Sequence, residues 1–69
     1  MKLYWACAKT ADLELLSTYD SCMSIEEAGE QFYVWEDEYG YKLTEMWISE
    51  YEDGKKIRDI AVEKRTVIV

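Results

Sequence analysis

The pattern of apolar residues predicts one helix in the middle of the chain. Between Ser24 and Gly40, large apolar side chains recur at intervals of three and four residues, the spacing of one face of an α-helix. These side chains are Ile25, Ala28, Phe32, Trp35 and Tyr39. Ser24 followed by Glu27 is typical of a capping box, in which the serine oxygen accepts a helix N–H and the glutamate accepts the serine amide. Gly40 suits a left-handed helix end. We therefore predict an amphipathic helix over about 24–39.

A glycine within this helix requires a reason. Gly29 costs about 1 kcal/mol relative to alanine at such a position. We expect it to let the helix backbone approach a sheet closely.

The segment after the helix predicts a β-hairpin, because apolar and polar residues alternate on both sides of a turn sequence. A three-residue connection over 52–54 pairs Met46 with Ile60 and gathers even-numbered apolar residues on one face. Leu43, Trp47 and Tyr51 then share the other face. A two-residue turn at 53–54 pairs Trp47 with Ile60 instead. Because a slip of one residue exchanges the faces of a strand, we prefer the first register and keep the second as the alternative.

The N-terminal segment predicts two further strands. Residues 2–9 alternate with Leu3, Trp5 and Cys7 on one side, and 13–19 pairs back as a short strand after a turn. The expected fold is α+β: a four-stranded antiparallel sheet in β-β-α-β-β order with the helix packed on one face. We expect one domain over 1–69 without linkers. The face of the sheet away from the helix is then solvated, covered by residues 66–69, or buried in a partner.

The negative charge is unevenly distributed along the chain. The net charge is −7, and residues 10–41 contain nine acidic residues and no basic one. Residues 42–69 contain six of each and are balanced. A one-sided acidic field favours basic partners and opposes nucleic acid and acidic membranes at long range.

Other features of the composition limit size and location. With 69 residues, the chain is near the smallest length at which a hydrophobic core stabilises a fold without disulfides or metals. No run approaches the roughly 18 apolar residues of a membrane span, and no cleavage pattern of a signal peptide follows the N-terminus. We expect a cytoplasmic protein with Cys7 and Cys22 as free thiols, with a disulfide between them as the alternative.

The residue types argue against catalysis and against metal or cofactor binding. The chain has no histidine, which excludes activation of a serine or cysteine nucleophile by an imidazole base. Its three glycines form no phosphate-binding loop, and two cysteines without histidine make a poor zinc site. We expect no enzyme, no cofactor and no metal site.

The second hairpin contains the basic residues that could contact nucleic acid. They are Lys55, Lys56, Arg58, Lys64 and Arg65. Acidic residues interleave with them, namely Glu52, Asp53, Asp59 and Glu63. Because the local charge is near zero, we regard nucleic-acid binding through this hairpin as the least favoured alternative.

The acidic helix surface is the candidate functional site. Glu36, Asp37 and Glu38 lie near the helix C-terminus, where each negative charge is unfavourable by about 0.3–1 kcal/mol. A solvated outer face is the ordinary explanation. The functional hypothesis is an acidic surface, bordered by tyrosines, that docks a basic protein. Its residues are Glu26, Glu27, Glu30, Tyr33, Glu36, Asp37, Glu38, Tyr39 and Tyr41.

We therefore expect a non-enzymatic interaction module whose partner is a basic, nucleic-acid-binding protein. In size and charge the chain is similar to small acidic proteins of phages and mobile elements that inhibit nucleases by mimicking DNA. This similarity is one of composition and assigns a role to no single residue. The alternative hypothesis is a structural or accessory homodimer, formed through the face that carries Trp47, Tyr51 and Ile57 or through residues 66–69.

Overall fold

A computed structural model describes residues 1–63 and confirms the predicted α+β fold, with one helix against a four-stranded antiparallel sheet. The strands are β1 (Lys2–Thr10), β2 (Leu15–Ser17), β3 (Leu43–Glu52) and β4 (Lys55–Ala61). Helix α1 (Ile25–Tyr33) continues into a π-helical turn (Val34–Glu38). The strand order is β2-β1-β3-β4, and α1 packs against the central strands β1 and β3. One alternative for the second face of the sheet was a cover formed by residues 66–69. Those residues lie outside the described range, as do Lys64 and Arg65.

The capping box forms at the start of α1 with one change of partner. Ser24 Oγ accepts the amide N–H of Glu27 at 3.1 Å, as predicted. The Glu27 carboxylate accepts the amide of Met23 at 2.8 Å, and not that of Ser24. At the other end, the amide of Tyr39 donates to the carbonyl of Val34, five residues earlier. The helical segment thus covers nearly the predicted range, but its period lengthens towards the end.

The change of period explains why the predicted apolar stripe is only partly buried. Ala28, Phe32 and Trp35 are buried, and the rings of Phe32 and Trp35 pack edge to face with centroids 5.8 Å apart. Tyr39 is 67% exposed, because the wider π turn rotates it away from the stripe. Ile25, the first helical residue, lies at the edge of the contact and is 38% exposed. The two ends of the predicted stripe, Ile25 and Tyr39, are therefore exposed.

Small residues set the distance between α1 and the sheet. Ala6 and Ala8 of β1 are fully buried opposite Ile48 and Met46 of β3, and Ala28 of α1 is fully buried with them. Their short side chains let the helix lie directly over the centre of the sheet. Leu3, Trp5 and Cys7 are half buried on the opposite face, as the alternation of β1 predicts.

Leu43 is on the side of the sheet opposite to the predicted one. Lys9 pairs with Glu45 but Thr10 pairs with Leu43, so Thr44 is an extra residue in β3. Such a bulge reverses the alternation beyond it. Leu43 consequently joins the buried core with Phe32 and Trp35, and not the face of Trp47 and Tyr51.

The tip of the second hairpin adopts the alternative two-residue turn. Glu52 pairs with Lys55, which leaves Asp53 and Gly54 as the central residues. Both have positive φ angles, +51° for Asp53 and +81° for Gly54, as a type I′ turn requires. The preferred three-residue connection over 52–54 is therefore wrong.

A bulge beyond the turn then shifts the register by one more residue. Tyr51 pairs with Lys56 while Glu50 pairs with Arg58, so Ile57 is the extra residue of β4. Ile48 consequently pairs with Ile60, so the alternative register holds at the tip but neither predicted register is observed beyond the bulge. The shorter turn and the bulge each shift the pairing by one residue relative to the preferred register. Because two such shifts restore the alternation, the even-numbered apolar residues still lie on the helix side of the sheet. The preferred register therefore assigned these residues to the correct face, although its residue pairs were wrong.

Gly29 does not make the close approach that we expected. A Cβ atom placed on residue 29 would meet no atom within 4 Å. The helix therefore forgoes about 1 kcal/mol of helix propensity at this position without gaining a tight contact.

The capping interaction gives a direct test of this fold. The Ser24→Ala variant should lose about 1 kcal/mol of unfolding free energy, because the Glu27 amide loses its acceptor. Urea denaturation followed by tryptophan fluorescence measures this loss. Ser21→Ala is the matched control, since its hydroxyl makes no hydrogen bond within residues 1–63. An equal loss in both variants would contradict the cap.

Candidate functional site

A groove of about 600 Å³ lies between α1 and the end of β4. It exists because α1 packs over β1 and β3 and leaves the helix side of β4 only partly covered. Phe32, Met46 and Val62 form its apolar floor, and Met46 and Val62 are half buried. Gly29 lies in the wall that α1 contributes. We call this feature the α1 groove.

Carboxylates surround the α1 groove. Its lining includes five acidic residues, which we call the acidic rim: Glu26, Glu30, Glu36, Asp37 and Glu63. Glu26 and Glu30 are one helical turn apart, and the π turn carries Glu36 and Asp37 along the same flank of the helix. Tyr33 also lines the groove and is 45% exposed. The groove thus has an apolar floor and an anionic edge.

The structure brings together some of the predicted site residues and separates others. Those that line the α1 groove are Glu26, Glu30, Tyr33, Glu36 and Asp37. Glu27 serves as the capping acceptor of Met23. Glu38, Tyr39 and Tyr41 are exposed beyond the groove, and the Tyr39 and Tyr41 rings lie 6.3 Å apart. The predicted surface therefore consists of a groove and a separate tyrosine pair.

The acidic helix surface is not neutralised by the basic residues of the described sheet. Within residues 1–63, no salt bridge involves Glu26, Glu30, Asp37 or Glu38. Four bases of the sheet contact other acids, in the pairs Lys2–Glu50, Arg58–Glu50, Lys9–Glu45 and Lys56–Asp59. These four carboxylates of the helix surface, Glu26, Glu30, Asp37 and Glu38, are exposed.

A buried carboxylate, which the sequence did not single out, organises the sheet below α1. Glu50 is 2% exposed and accepts a hydrogen bond from Arg58 Nε at 2.9 Å, with Lys2 Nζ 3.8 Å away. The hydrogen bond from Arg58 lowers the pKa of Glu50 against the opposing effect of burial, and one from Tyr4 lowers it further. Burial, followed by the hydrogen bond to Glu50, raises the pKa of Tyr4. The predicted register did not place Arg58 opposite Glu50, so this cluster was not predicted.

The second sheet face, which we call the open face, carries half-buried aromatic residues. It presents Leu3, Trp5, Cys7, Trp47, Ser49 and Tyr51, and no element within residues 1–63 covers it. Trp5 and Tyr51 pack edge to face with ring centroids 4.9 Å apart. At its centre, Ser49 Oγ donates to Asp59 Oδ1 at 2.7 Å. The open face is therefore a mixed surface, with rings around a polar centre.

The bases of the second hairpin do not form one surface. Lys56 Nζ lies 2.8 Å from Asp59 Oδ2, and this pair lies beside Ser49 on the open face. Arg58 bonds to Glu50 on the helix side. The hydrogen bond to Asp59 raises the pKa of Lys56, and that same bond, together with one from Ser49, lowers the pKa of Asp59. The two bases are thus divided between the two faces.

The two thiols also lie on opposite sides of the sheet. Cys7 is half buried on the open face, where its sulfur lies 3.9 Å from Ser49 Oγ. Cys22 forms an isolated antiparallel β-bridge with Tyr4 through its backbone, and its side chain is buried in the core. Burial raises the pKa of the Cys22 thiol. A Cys7–Cys22 disulfide would require this arrangement to be broken. Both cysteines are free.

No group of three or more Cys, Asp or Glu side chains within residues 1–63 is placed to hold a metal ion. No helix of the same part of the chain is long and apolar enough to cross a bilayer.

Comparison with known proteins finds no family model, no curated protein and no solved structure that the chain matches.

The Glu50 cluster predicts how stability depends on pH. Because the folded-state pKa of Glu50 is lowered, its carboxylate stabilises the fold above the ordinary value of 4.5, and this stabilisation is lost as the pH falls through the folded value. Glu50→Gln should therefore lower the urea midpoint at pH 7 and flatten its decline in acid. Urea denaturation between pH 7 and pH 2.5 measures both effects.

The matched control for Glu50→Gln is Glu45→Gln, because Glu45 pairs with Lys9 but its side chain is 64% exposed. Glu45→Gln should leave the pH profile close to that of the wild type, since exposed ion pairs contribute little. Parallel profiles for the wild type and Glu50→Gln would contradict the role of Glu50.

Proposed function

We propose that the protein is a non-enzymatic interaction module that binds a basic protein through the acidic surface of α1. One observation carries the proposal. Glu26, Glu30 and Asp37 are exposed beside an apolar groove without a salt bridge in residues 1–63, while four bases of the sheet contact other acids. A positively charged partner would supply the missing counter-charges.

Helix energetics support the same proposal. Glu26 and Glu30 are like charges four residues apart, an arrangement that destabilises a helix by about 0.2–0.5 kcal/mol. The last turns of the helical segment contain acidic residues and no basic one, which is unfavourable for the helix dipole. A cationic partner would remove both penalties on binding and would be steered to the surface by long-range attraction.

A nucleic-acid-binding protein is the partner class that best suits this surface. Such proteins carry clustered Lys and Arg side chains that contact regularly spaced phosphates. Carboxylates along one helix flank offer a comparable row of negative charges. In its specific form the proposal is an inhibitor that mimics the charge of DNA, of the kind that phages and mobile elements encode. A cytoplasmic location fits the two free thiols.

A homodimer is the second candidate, and the open face is the observation that favours it. Trp5, Trp47 and Tyr51 remain only half buried there, and nearby Leu15 is 70% exposed. Aromatic residues are enriched in the centres of interfaces between subunits. A dimer formed through the open face would leave the α1 groove on the outside, so the two proposals are compatible.

Charge removal at the rim tests the proposed function. A partner captured at low salt from cells of the source organism and then purified should bind the triple variant Glu26→Gln, Glu30→Gln, Asp37→Asn about tenfold more weakly, which is about 1.4 kcal/mol. Titration calorimetry across a range of salt concentrations measures the affinity. The wild-type affinity should fall steeply with salt, because counterions screen the exposed charges.

The control for the rim variant changes the net charge equally at another place. Asp12→Asn, Glu14→Gln, Asp20→Asn removes three exposed carboxylates outside α1. This variant should retain nearly the full affinity. Affinity that is independent of salt, or that falls equally in both triple variants, would contradict an acidic docking surface on α1.

The dimer is tested separately by sedimentation equilibrium. If the open face pairs two chains, Trp5→Ser should convert a concentration-dependent dimer into a monomer, because it replaces a large aromatic side chain of that face with a small polar one. Tyr39→Ser, at an exposed position away from the open face, is the control and should leave the dimer unchanged. A wild-type monomer at millimolar concentration would exclude this candidate.

A further inference from the structure

We propose that the α1 groove binds a Lys/Arg-rich amphipathic helix of the partner and seats one or two of its large apolar side chains. This inference rests on the proposed function and specifies the binding mode. The partner helix would lie along α1, with its apolar residues on the groove floor and its basic residues opposite the acidic rim.

The floor of the groove has the chemistry for apolar side chains. Phe32, Met46 and Val62 meet there, and the volume of about 600 Å³ lies within the usual range of ligand-binding clefts. Methionine adapts its shape to different neighbours, so Met46 suits a floor that must pack against an incoming side chain. Laying an amphipathic helix into such a groove is a common mode of peptide recognition.

The rim selects the charge of the occupant. Glu26, Glu30 and Asp37 are exposed at the groove and have no salt bridge within residues 1–63. A neutral apolar segment would have to cover these carboxylates without offering them hydrogen-bond donors, and an acidic segment would be repelled. An occupant with basic residues flanking its apolar ones satisfies both the floor and the rim.

The spacing of the rim favours a helical occupant. Glu26 and Glu30 are separated by four residues of α1, about 6 Å along the helix axis. Basic residues one turn apart on a second helix have the same spacing. In an extended strand, successive residues of one face are about 7 Å apart, and an alternating sequence places the apolar residues on the opposite face from the basic ones. A strand therefore matches the rim less well than a helix.

Gly29 supplies an independent observation. It lines the groove, and a Cβ at this position would meet no atom within 4 Å, so nothing in residues 1–63 needs a glycine there. Glycine destabilises a helix interior relative to alanine. Its presence is accounted for if it keeps the helix wall open for side chains of the partner.

Two synthetic peptides test the inference with the 69-residue chain. Both are 15-residue helices with the same Lys and Arg residues. One carries leucine at three positions spaced by three and four residues, and the other carries alanine at those positions. Fluorescence anisotropy should show that the leucine peptide binds the wild type at least about tenfold more tightly, because only leucine fills the floor.

Filling the groove provides the decisive variant. Gly29→Leu places a side chain in the groove at a position with free space, and leucine is a good helix former, so the fold should be retained. The preference for the leucine peptide should then fall to less than about twofold, while binding of the alanine peptide should be unchanged. Gln31→Leu, on the other flank of α1, is the control and should keep the preference. Circular dichroism verifies the fold of each variant.

The outcomes separate this inference from the function on which it rests. If both peptides bind the wild type equally and in a salt-dependent manner, the groove inference is overturned while the acidic docking surface stands. If neither peptide binds at low salt, the proposed function fails as well. Self-association of the wild type that Gly29→Leu abolishes would assign the groove to a second copy of the chain and overturn the inference.

Discussion

The structure depends on a mismatch of widths between one helix and four strands. Four strands about 4.8 Å apart span roughly 14 Å between the outer strands, whereas a helix with its side chains is about 10–12 Å wide. A single helix therefore covers only part of one face. In this chain α1 lies over β1 and β3, which leaves the helix side of β4 partly uncovered and the second face without any cover within residues 1–63. Both candidate surfaces, the α1 groove and the open face, follow from this mismatch.

Packing and charge then decide the character of each surface. Ala6 and Ala8 lie at the centre of the sheet and fix the helix over β1, so the space that remains is on the β4 side. Glu50 pairs with Lys2 and Arg58, and neither base makes a salt bridge with Glu26 or Glu30 of α1. Four bases of the described chain contact acidic residues of the sheet, whereas Glu26 and Glu30 of α1 are exposed and have no salt bridge within residues 1–63.

The parts of the fold that the sequence predicted are those that local interactions determine. The serine cap, the spacing of Phe32 and Trp35, and the alternation of β1 each depend on residues close together in the chain. The errors have a common physical origin, because bulges at Thr44 and Ile57 are decided by pairing across strands. The bulge at Thr44 places Leu43 on the side of the sheet opposite to the predicted one, and the bulge at Ile57 places Arg58, unexpectedly, opposite Glu50. The acidic residues of the site were visible in the sequence, but the groove was not, since Met46 and Val62 reach Phe32 only in the folded sheet.

Departures from local helix stability coincide at one place on the molecule. Glu26 and Glu30 repel each other, Asp37 opposes the helix dipole, and Gly29 lowers helix propensity. Each of these features is unremarkable alone, and a solvated surface tolerates any one of them. All four residues, however, line the same groove, whereas Ala28 and Phe32 on the buried side of α1 introduce no such departure. Natural sequences tend to break local rules where a surface has a further use, so the shared location of these departures favours the groove as the place of binding over an ordinary solvated face.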